Sequence, residues 1–245
     1  MYEISRLGDV AGFGGRWFAG GLLTVAFAAL AHRMRGVTNS GAMAGAVSCF
    51  VLYLGGGAGA FALLITVFAL AWITTRLGYP RKQKLGTAER REGRKASQVL
   101  ANLGVATACA AFSIFSHHRT LFLLALVAAL SEAAADTVSS ELGQAFGQKA
   151  YLITTWNSVP PGTDGGVSLL GTLTGIVAAG IVSSVGVLGG LLPRRWLPIS
   201  AGAAILGMIA DSFLGAGLER RGLVNNDSVN FLGTLIAAAA AYWLA

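Results

Sequence analysis

Charge is what this sequence has least of. Asp, Glu, Lys and Arg make up 12% of its 245 residues, about half of the ~25% usual in soluble domains. Hydrophobic residues make up 54%, more than a soluble core of this size needs but what a set of lipid-facing helices requires. Cysteine is nearly missing. Cys49 and Cys109 sit inside apolar runs, which excludes a disulfide framework and a cysteine metal site and leaves two small core residues. The three histidines, His32, His117 and His118, have no metal spacing. There is no nucleophile elbow, no P-loop and no zinc motif. A net charge of +7 would suggest nucleic acid in a soluble protein. Here the charge lies mostly in loops, so topology and anionic headgroups account for it and no nucleic-acid partner is expected.

What is present is a series of apolar runs. Spans of about 20 residues are expected near 16–32, 40–56, 58–76, 97–115, 119–137, 167–190, 197–214 and 229–245. The fold class is therefore all-α: a single polytopic membrane domain over 1–245 with about seven to eight transmembrane helices. The run from Gly36 to Thr75 carries no charge and is too long for one span, and Gly55-Gly56-Gly57 is the natural place to fold it. Ala29-Leu30-Ala31 has the look of a cleavage site, but Arg33 and Arg35 follow directly, so the first span is read as retained. Eight of the eighteen basic residues fall between Arg76 and Lys95. Lys and Arg beside spans are held in the cytoplasm, which places segments 33–39, 76–96, 138–166 and 215–228 inside. Thirteen basic residues then fall inside and five outside, Arg194 and Arg195 among the five. Of the eleven acids only Glu3 and Asp9 fall outside. The expected location is a cell membrane of prokaryotic type, with the active face cytoplasmic.

The chain echoes itself. Ala135-Asp136-Thr137 returns as Ala210-Asp211-Ser212, and the segment from Val167 to Leu173 returns as Val229 to Leu235. Asp164 and Asp227 stand just before the second pair. An internal duplication, with repeats at 119–190 and 197–245, would relate the halves by an axis along the membrane normal.

Ionisable groups in or beside spans are costly. Glu132 and Asp136 are four apart and share a helix face. Two carboxylates so placed imply a protonated Glu132, a frayed helix end, or a hard cation such as Mg2+, which takes carboxylate oxygens and then a substrate's phosphates. Ser139, Ser140 and Glu141 extend that face. The loop Asn157 to Gly166 contains two prolines and three glycines and feeds a helix start, where backbone N–H groups favour phosphate. Alternatively it is a plain turn with Asp164 or Ser168 as cap. Arg94, Gln98 and Asn102 fall at i, i+4 and i+8, either as a phosphate- or base-binding stripe or as hydrogen-bonding contacts between helices. Asn39, beside Arg33 and Arg35, opens a further helix start of the same kind.

Six motifs together resemble a known family: Gly36 to Ala42; Gly93-Arg94 with Gln98 to Asn102; Ala135-Asp136-Thr137 with Ser140 to Gly143; Pro161-Gly162-Thr163-Asp164-Gly165-Gly166-Val167-Ser168; Asp211-Ser212; and Asn226-Asp227 with Val229 to Leu232. It is an integral-membrane family, long described as a domain of unknown function, that includes the phytyl-phosphate kinase of chloroplast tocopherol synthesis. The likeness covers roughly residues 20–245. It implies Mg2+-dependent transfer of a phosphoryl group from CTP or another nucleoside triphosphate onto an isoprenyl monophosphate, giving the diphosphate. Asp136 and Asp164 would hold the metal, assisted by Glu132, Glu141 or Asp227. Arg94, with Lys95 and Arg33, would neutralise phosphates. Asn39, Gln98, Asn102, Gly162, Gly165, Gly166 and Ser168 would line the nucleotide. Asp136 followed by Gly171-Thr172-Leu173-Thr174-Gly175 also looks, more distantly, like polyprenol kinases and CDP-lipid synthases. The alternatives carried forward are a lipid nucleotidyltransferase and a polyprenyl-phosphate carrier. The family resemblance does not fix the prenyl chain.

Overall fold

The computed structural model describes residues 2–245, with side chains from residue 15 on. The charges at Glu3, Arg6 and Asp9 lie outside the described side chains. Eight α-helices follow in order: α1 (Tyr2–Arg33), α2 (Asn39–Arg76), α3 (Tyr79–Leu85), α4 (Ala96–Phe115), α5 (Arg119–Phe146), α6 (Leu169–Leu188), α7 (Leu197–Leu214) and α8 (Asn226–Leu244). Three short strands, β1 (Ala150–Leu152), β2 (Ser158–Val159) and β3 (Gly166–Val167), lie between α5 and α6.

The expected all-α membrane architecture is present, but the span count differs. Among the described residues five helical runs are long and apolar enough to cross a membrane: α2, α4, α5, α6 and the run Arg194–Glu219 that contains α7. Part of the difference from seven or eight lies in α2, which contains two of the expected spans. A straight helix of 38 residues would reach about 57 Å, against a hydrocarbon core of about 30 Å. It bends at Gly57, whose φ of 65° and ψ of −151° leave the helical region. The two arms then run back beside each other. Trp72 Nε1 and Arg76 Nη2, late in the second arm, donate to the carbonyl of Met34, just ahead of the first (3.1 and 2.7 Å). The bend costs helix hydrogen bonds, and arginines satisfy the carbonyls beside it. Arg16 Nη2 donates to Leu54 O (3.1 Å) and Arg119 Nη2 to Gly55 O (2.7 Å).

The core forms around α5, which packs against α2, α4, α6, α7 and α8; 83% of its most apolar stretch is buried. Small residues permit the close approach. Gly175 of α6 lies on the Ala135 carbonyl and Gly186 on Val127. A chain of buried hydroxyls, Ser131 to Ser183 to Ser200, ties α5, α6 and α7 together at 3.0 Å each. α5 also runs beyond its expected end, to Phe146. Ser139, Ser140 and Glu141 are therefore helical and not part of a loop.

The segment 147–168 is not a plain loop either. β1 pairs antiparallel with β2 and with β3, in the order β2-β1-β3. Strands of two and three residues leave no alternating pattern for a sequence reading to find.

Candidate functional site

The functional groups gather at the end of the bundle away from the Gly57 bend, where two connections cross. Val37 and Arg94 form an isolated parallel bridge. Thr38 N–H donates to Arg94 O, and Arg94 N–H to Gly36 O, both at 3.0 Å. The crossing requires glycine at position 93: its φ is +88°, and a Cβ there would collide with the Gly36 and Val37 backbone. The expected Arg94–Gln98–Asn102 stripe is thereby broken. α4 begins at Ala96, so Arg94 lies outside the helix, held by its bridge to Val37. Gln98 is occupied locally: its Oε1 accepts from Lys95 N–H and its Nε2 donates to Glu89 Oε2, both at 3.0 Å.

On one side of this crossing lies a cavity of about 360 Å³ between α1, both arms of α2, α4 and α5. That is within the ~300–1,000 Å³ of small-molecule sites. Its depth is apolar, walled by Phe27, Ala31, Leu64, Val67, Phe68 and Leu103; its mouth carries Arg35, Arg76, Arg90, Arg91 and Arg94. One carboxylate, Glu89, lines the same cavity, but among the described residues the one ion pair is Lys82–Glu141, so none of the five guanidinium groups is paired at contact distance. Arg76 lies over Trp72, 4.0 Å from the ring centroid, and Arg91 over Tyr79 at 5.7 Å, which orients both cations.

On the other side lies a smaller pocket of about 120 Å³, lined by Asp136, Asp164, Asp211, Glu219, Ser139, Ser140, Ser168, Asn226 and the turn Pro161–Gly166. Each chain segment reaches it for a local reason. Asp136 sits one turn before Ser140 on α5, with the Ser140 side chain in hydrogen-bonding reach and Arg94 and Glu141 acting on its charge. The small sheet presents the Pro-Gly turn. Thr163 Oγ1 donates to Pro160 O, and Gly166 N–H donates to Thr163 O, both at 2.8 Å. Gly165, at φ +71°, lies against Ala216, where a Cβ would collide. Ser168 caps α6, its Oγ accepting from Gly171 N–H at 3.1 Å. α7 then widens into a π-helical turn, Gly215–Glu219, a feature frequent at functional sites, which carries Glu219 to the pocket.

The predicted site residues divide into groups. Asp136, Asp164, Gly162, Gly165, Gly166 and Ser168 line the acidic pocket. Arg94 and Asn102 line the apolar cavity. Asn39 is exposed at the start of α2 and lines neither. The Gly166 N–H, expected to face a ligand, is used within the turn. Glu141 points to the other side of α5: it pairs with Lys82 Nζ and accepts from Thr75 Oγ1 at 3.0 Å. Lys82 is itself fully buried and also donates to the carbonyls of Thr74 and Thr75. Asp227 stands in the first turn of α8, where its charge acts on Glu219. Glu132 is 1% exposed and lies behind the pocket, packed against Gly207 and Gly233.

Asp211 and Glu219 were not among the expected ligands. The echo of Ala135-Asp136-Thr137 marked Asp211; Glu219 had no sequence signal, because a π turn leaves none. Both echoing aspartates line one pocket.

This donor set bears on the metal that the resemblance implies. Among the described residues no three carboxylate, histidine or cysteine groups stand close enough to cage an ion. Two buried carboxylate oxygens, Glu132 Oε1 and Asp211 Oδ2, have no hydrogen-bond partner. Oxygen-only donors, few of them converging, fit Mg2+, which is commonly held by one or two carboxylates and completes its shell with water and substrate phosphates.

Fold and site together define a polytopic helical membrane protein with an arginine-rimmed apolar cavity beside an acidic pocket. The chain belongs to the family described as "Integral membrane protein DUF92", whose model matches residues 22–238. It is similar to an uncharacterized membrane protein of Methanocaldococcus jannaschii, 32% identical over 223 residues, covering 90% of this chain and 91% of that one. It is 33% identical over 193 residues to the chloroplastic protein VTE6 of Arabidopsis thaliana, covering 74% of this chain and 58% of VTE6. An uncharacterized membrane protein of Synechocystis is 33% identical over 185 residues, 74% of this chain and 72% of its own. No solved structure matches.

Proposed function

We propose that the protein is a membrane-embedded, Mg2+-dependent kinase that moves the terminal phosphoryl group of a nucleoside triphosphate, CTP by family resemblance, onto an isoprenyl monophosphate. The observation that carries this reading is the place of Arg94. It lines the mouth of the apolar cavity, its Nη2 lies 3.4 Å from Thr137 Oγ1, and its charge acts on Asp136 of the acidic pocket. One guanidinium therefore separates a site suited to a lipid phosphate from a site suited to metal-bound phosphates. Phosphoryl transfer asks a protein mainly for alignment and charge neutralisation, and these residue types offer both.

At about 120 Å³ the acidic pocket takes the phosphate end of a nucleotide and leaves the nucleoside outside. Asp136 and Asp164 would hold Mg2+ together with water and the nucleotide phosphates, with Asp211, Glu219, Asp227 and Glu132 adding negative charge around it. Bound Mg2+ supplies neutralisation and orientation of the phosphate oxygens. Arg94 orients the acceptor phosphate and draws off charge as an acceptor oxygen bonds to the γ-phosphorus. The bond from that phosphorus to the bridging oxygen breaks, and the nucleoside diphosphate leaves. With the basic segment 76–96 retained inside, both pockets open to the cytoplasm.

The test uses purified protein, Mg2+, γ-labelled CTP and a set of isoprenyl monophosphates, with Asp136→Asn as control. Label in a prenyl diphosphate, lost in the variant, supports the kinase. Label entering the lipid only from α-labelled CTP, with pyrophosphate released, replaces it with nucleotidyl transfer. Prenyl phosphate bound but never modified replaces it with a carrier.

A further inference from the structure

The apolar cavity has a shape as well as a chemistry. From Arg76 at its mouth to Leu64 at its depth, the second arm of α2 descends about 18 Å at 1.5 Å per residue, little more than half of the ~30 Å hydrocarbon core. Part of the wall is aromatic. Phe27 of α1 meets Phe68 edge-on at 5.4 Å and Phe61 at 5.8 Å. One wall is unfilled. Gly41 and Gly45 both line the cavity from the first arm of α2, but for different reasons. A Cβ at Gly41 would run into the Arg94 carbonyl, so the arm needs glycine there to pack. A Cβ at Gly45 meets nothing nearer than Val99 Cγ1 at 4.0 Å. Packing does not demand glycine at 45, and any larger side chain there would stand in the cavity about 10 Å below the start of α2.

We propose that this cavity is the hydrocarbon subsite of a lipid monophosphate and that Gly45, with Phe27 on the facing wall, determines the length of chain it accepts. The occupant follows from the two ends. Five guanidinium groups line this cavity against one carboxylate, Glu89, and none of the five is in an ion pair; the excess positive charge selects a phosphate, since Arg matches phosphate oxygens two at a time. An apolar cavity of about 360 Å³ suits one hydrocarbon chain better than the two chains of a phospholipid. The inference rests on the proposed kinase only for calling this lipid the acceptor; the binding preference stands without turnover.

Gly45→Leu is the decisive variant. Leu is a better helix former than Gly and enters open space, so the protein is expected to insert and to melt no lower than the parent. Binding is measured in nanodiscs without nucleotide, with isoprenyl monophosphates of two, three and four isoprene units and with a two-chain phosphatidic acid as competitor. The expected result is at least a tenfold loss of affinity for the longest chain, with the shortest unchanged. Phe27→Ala should move the preference the other way, towards longer chains. If both variants bind all three lengths as the parent does, or if phosphatidic acid competes as well as the prenyl phosphates, the proposal is overturned. If the length shift appears but no phosphoryl transfer follows on adding Mg2+ and CTP, the kinase reading fails and the subsite stands.

Discussion

Two cavities open at the same end of this bundle, and they are opposites. One is apolar in depth and rimmed by five arginines; the other is mostly polar and lined by four carboxylates. The basic one keeps its charge where the membrane surface would be and is apolar below. The acidic one is built from helix ends and a small sheet, with little apolar surface to hold a tail. An anion attached to a chain suits the first, and an anion that arrives with a cation suits the second. Arg94 and Asp136 stand at the border, one lining each pocket. Separate substitutions should therefore give separable defects.

The largest effect is expected from Asp136→Asn. Loss of a central charge in a phosphoryl-transfer site should lower the transfer rate by about 10³-fold, in the range seen for removing one preorganised electrostatic group, while isoprenyl-phosphate binding is retained. An Asp136→Asn protein that inserts normally and turns over at the parent rate would falsify the assignment of the acidic pocket. Next is Lys82→Met. The buried ammonium loses its pairing with Glu141 and leaves that carboxylate stranded, a change worth about 3 kcal/mol or more, seen as a lower midpoint of unfolding in detergent. The double variant with Glu141→Gln should recover much of the loss. Third, Arg94→Lys keeps the charge but loses the planar fork. It should weaken both prenyl-phosphate binding and transfer about tenfold, the one substitution that crosses the border. The smallest is Arg91→Ala at the exposed rim. It should raise the lipid's apparent Kd a few-fold, less at high salt because exposed charges are screened, and leave the nucleotide KM unchanged.

The sequence disclosed the membrane class because apolar runs and loop charge are local signals. It disclosed Asp136 and the Pro-Gly turn through carboxylate spacing and glycine content, and hinted at Asp211 through its echo. It did not disclose which residues meet. Arg94 was read as helical, and only its bridge to Val37, 57 positions away in the chain, takes it off the helix. Glu141 shares a helix and a local sequence with Asp136, yet it turns to Lys82, whose burial no composition rule anticipates. Glu219 reaches the pocket through a π turn that has no residue signature. The apolar cavity was invisible because it is bounded by helices far apart in the chain, and because Gly45 contributes to it by being small.

The helix α5 touches lipid over little of its length, since its neighbours enclose it. Within one turn and a half it carries Ala133 on the wall of the basic cavity, Asp136 on the wall of the acidic one and Thr137 beneath the Arg94 guanidinium. A helix is stiff along its axis, so these three positions move as one piece. A slide of α5 that widened one chamber would displace the boundary of the other in the same stroke. The two chambers share one wall, so a substitution that shifts α5 is expected to alter both at once.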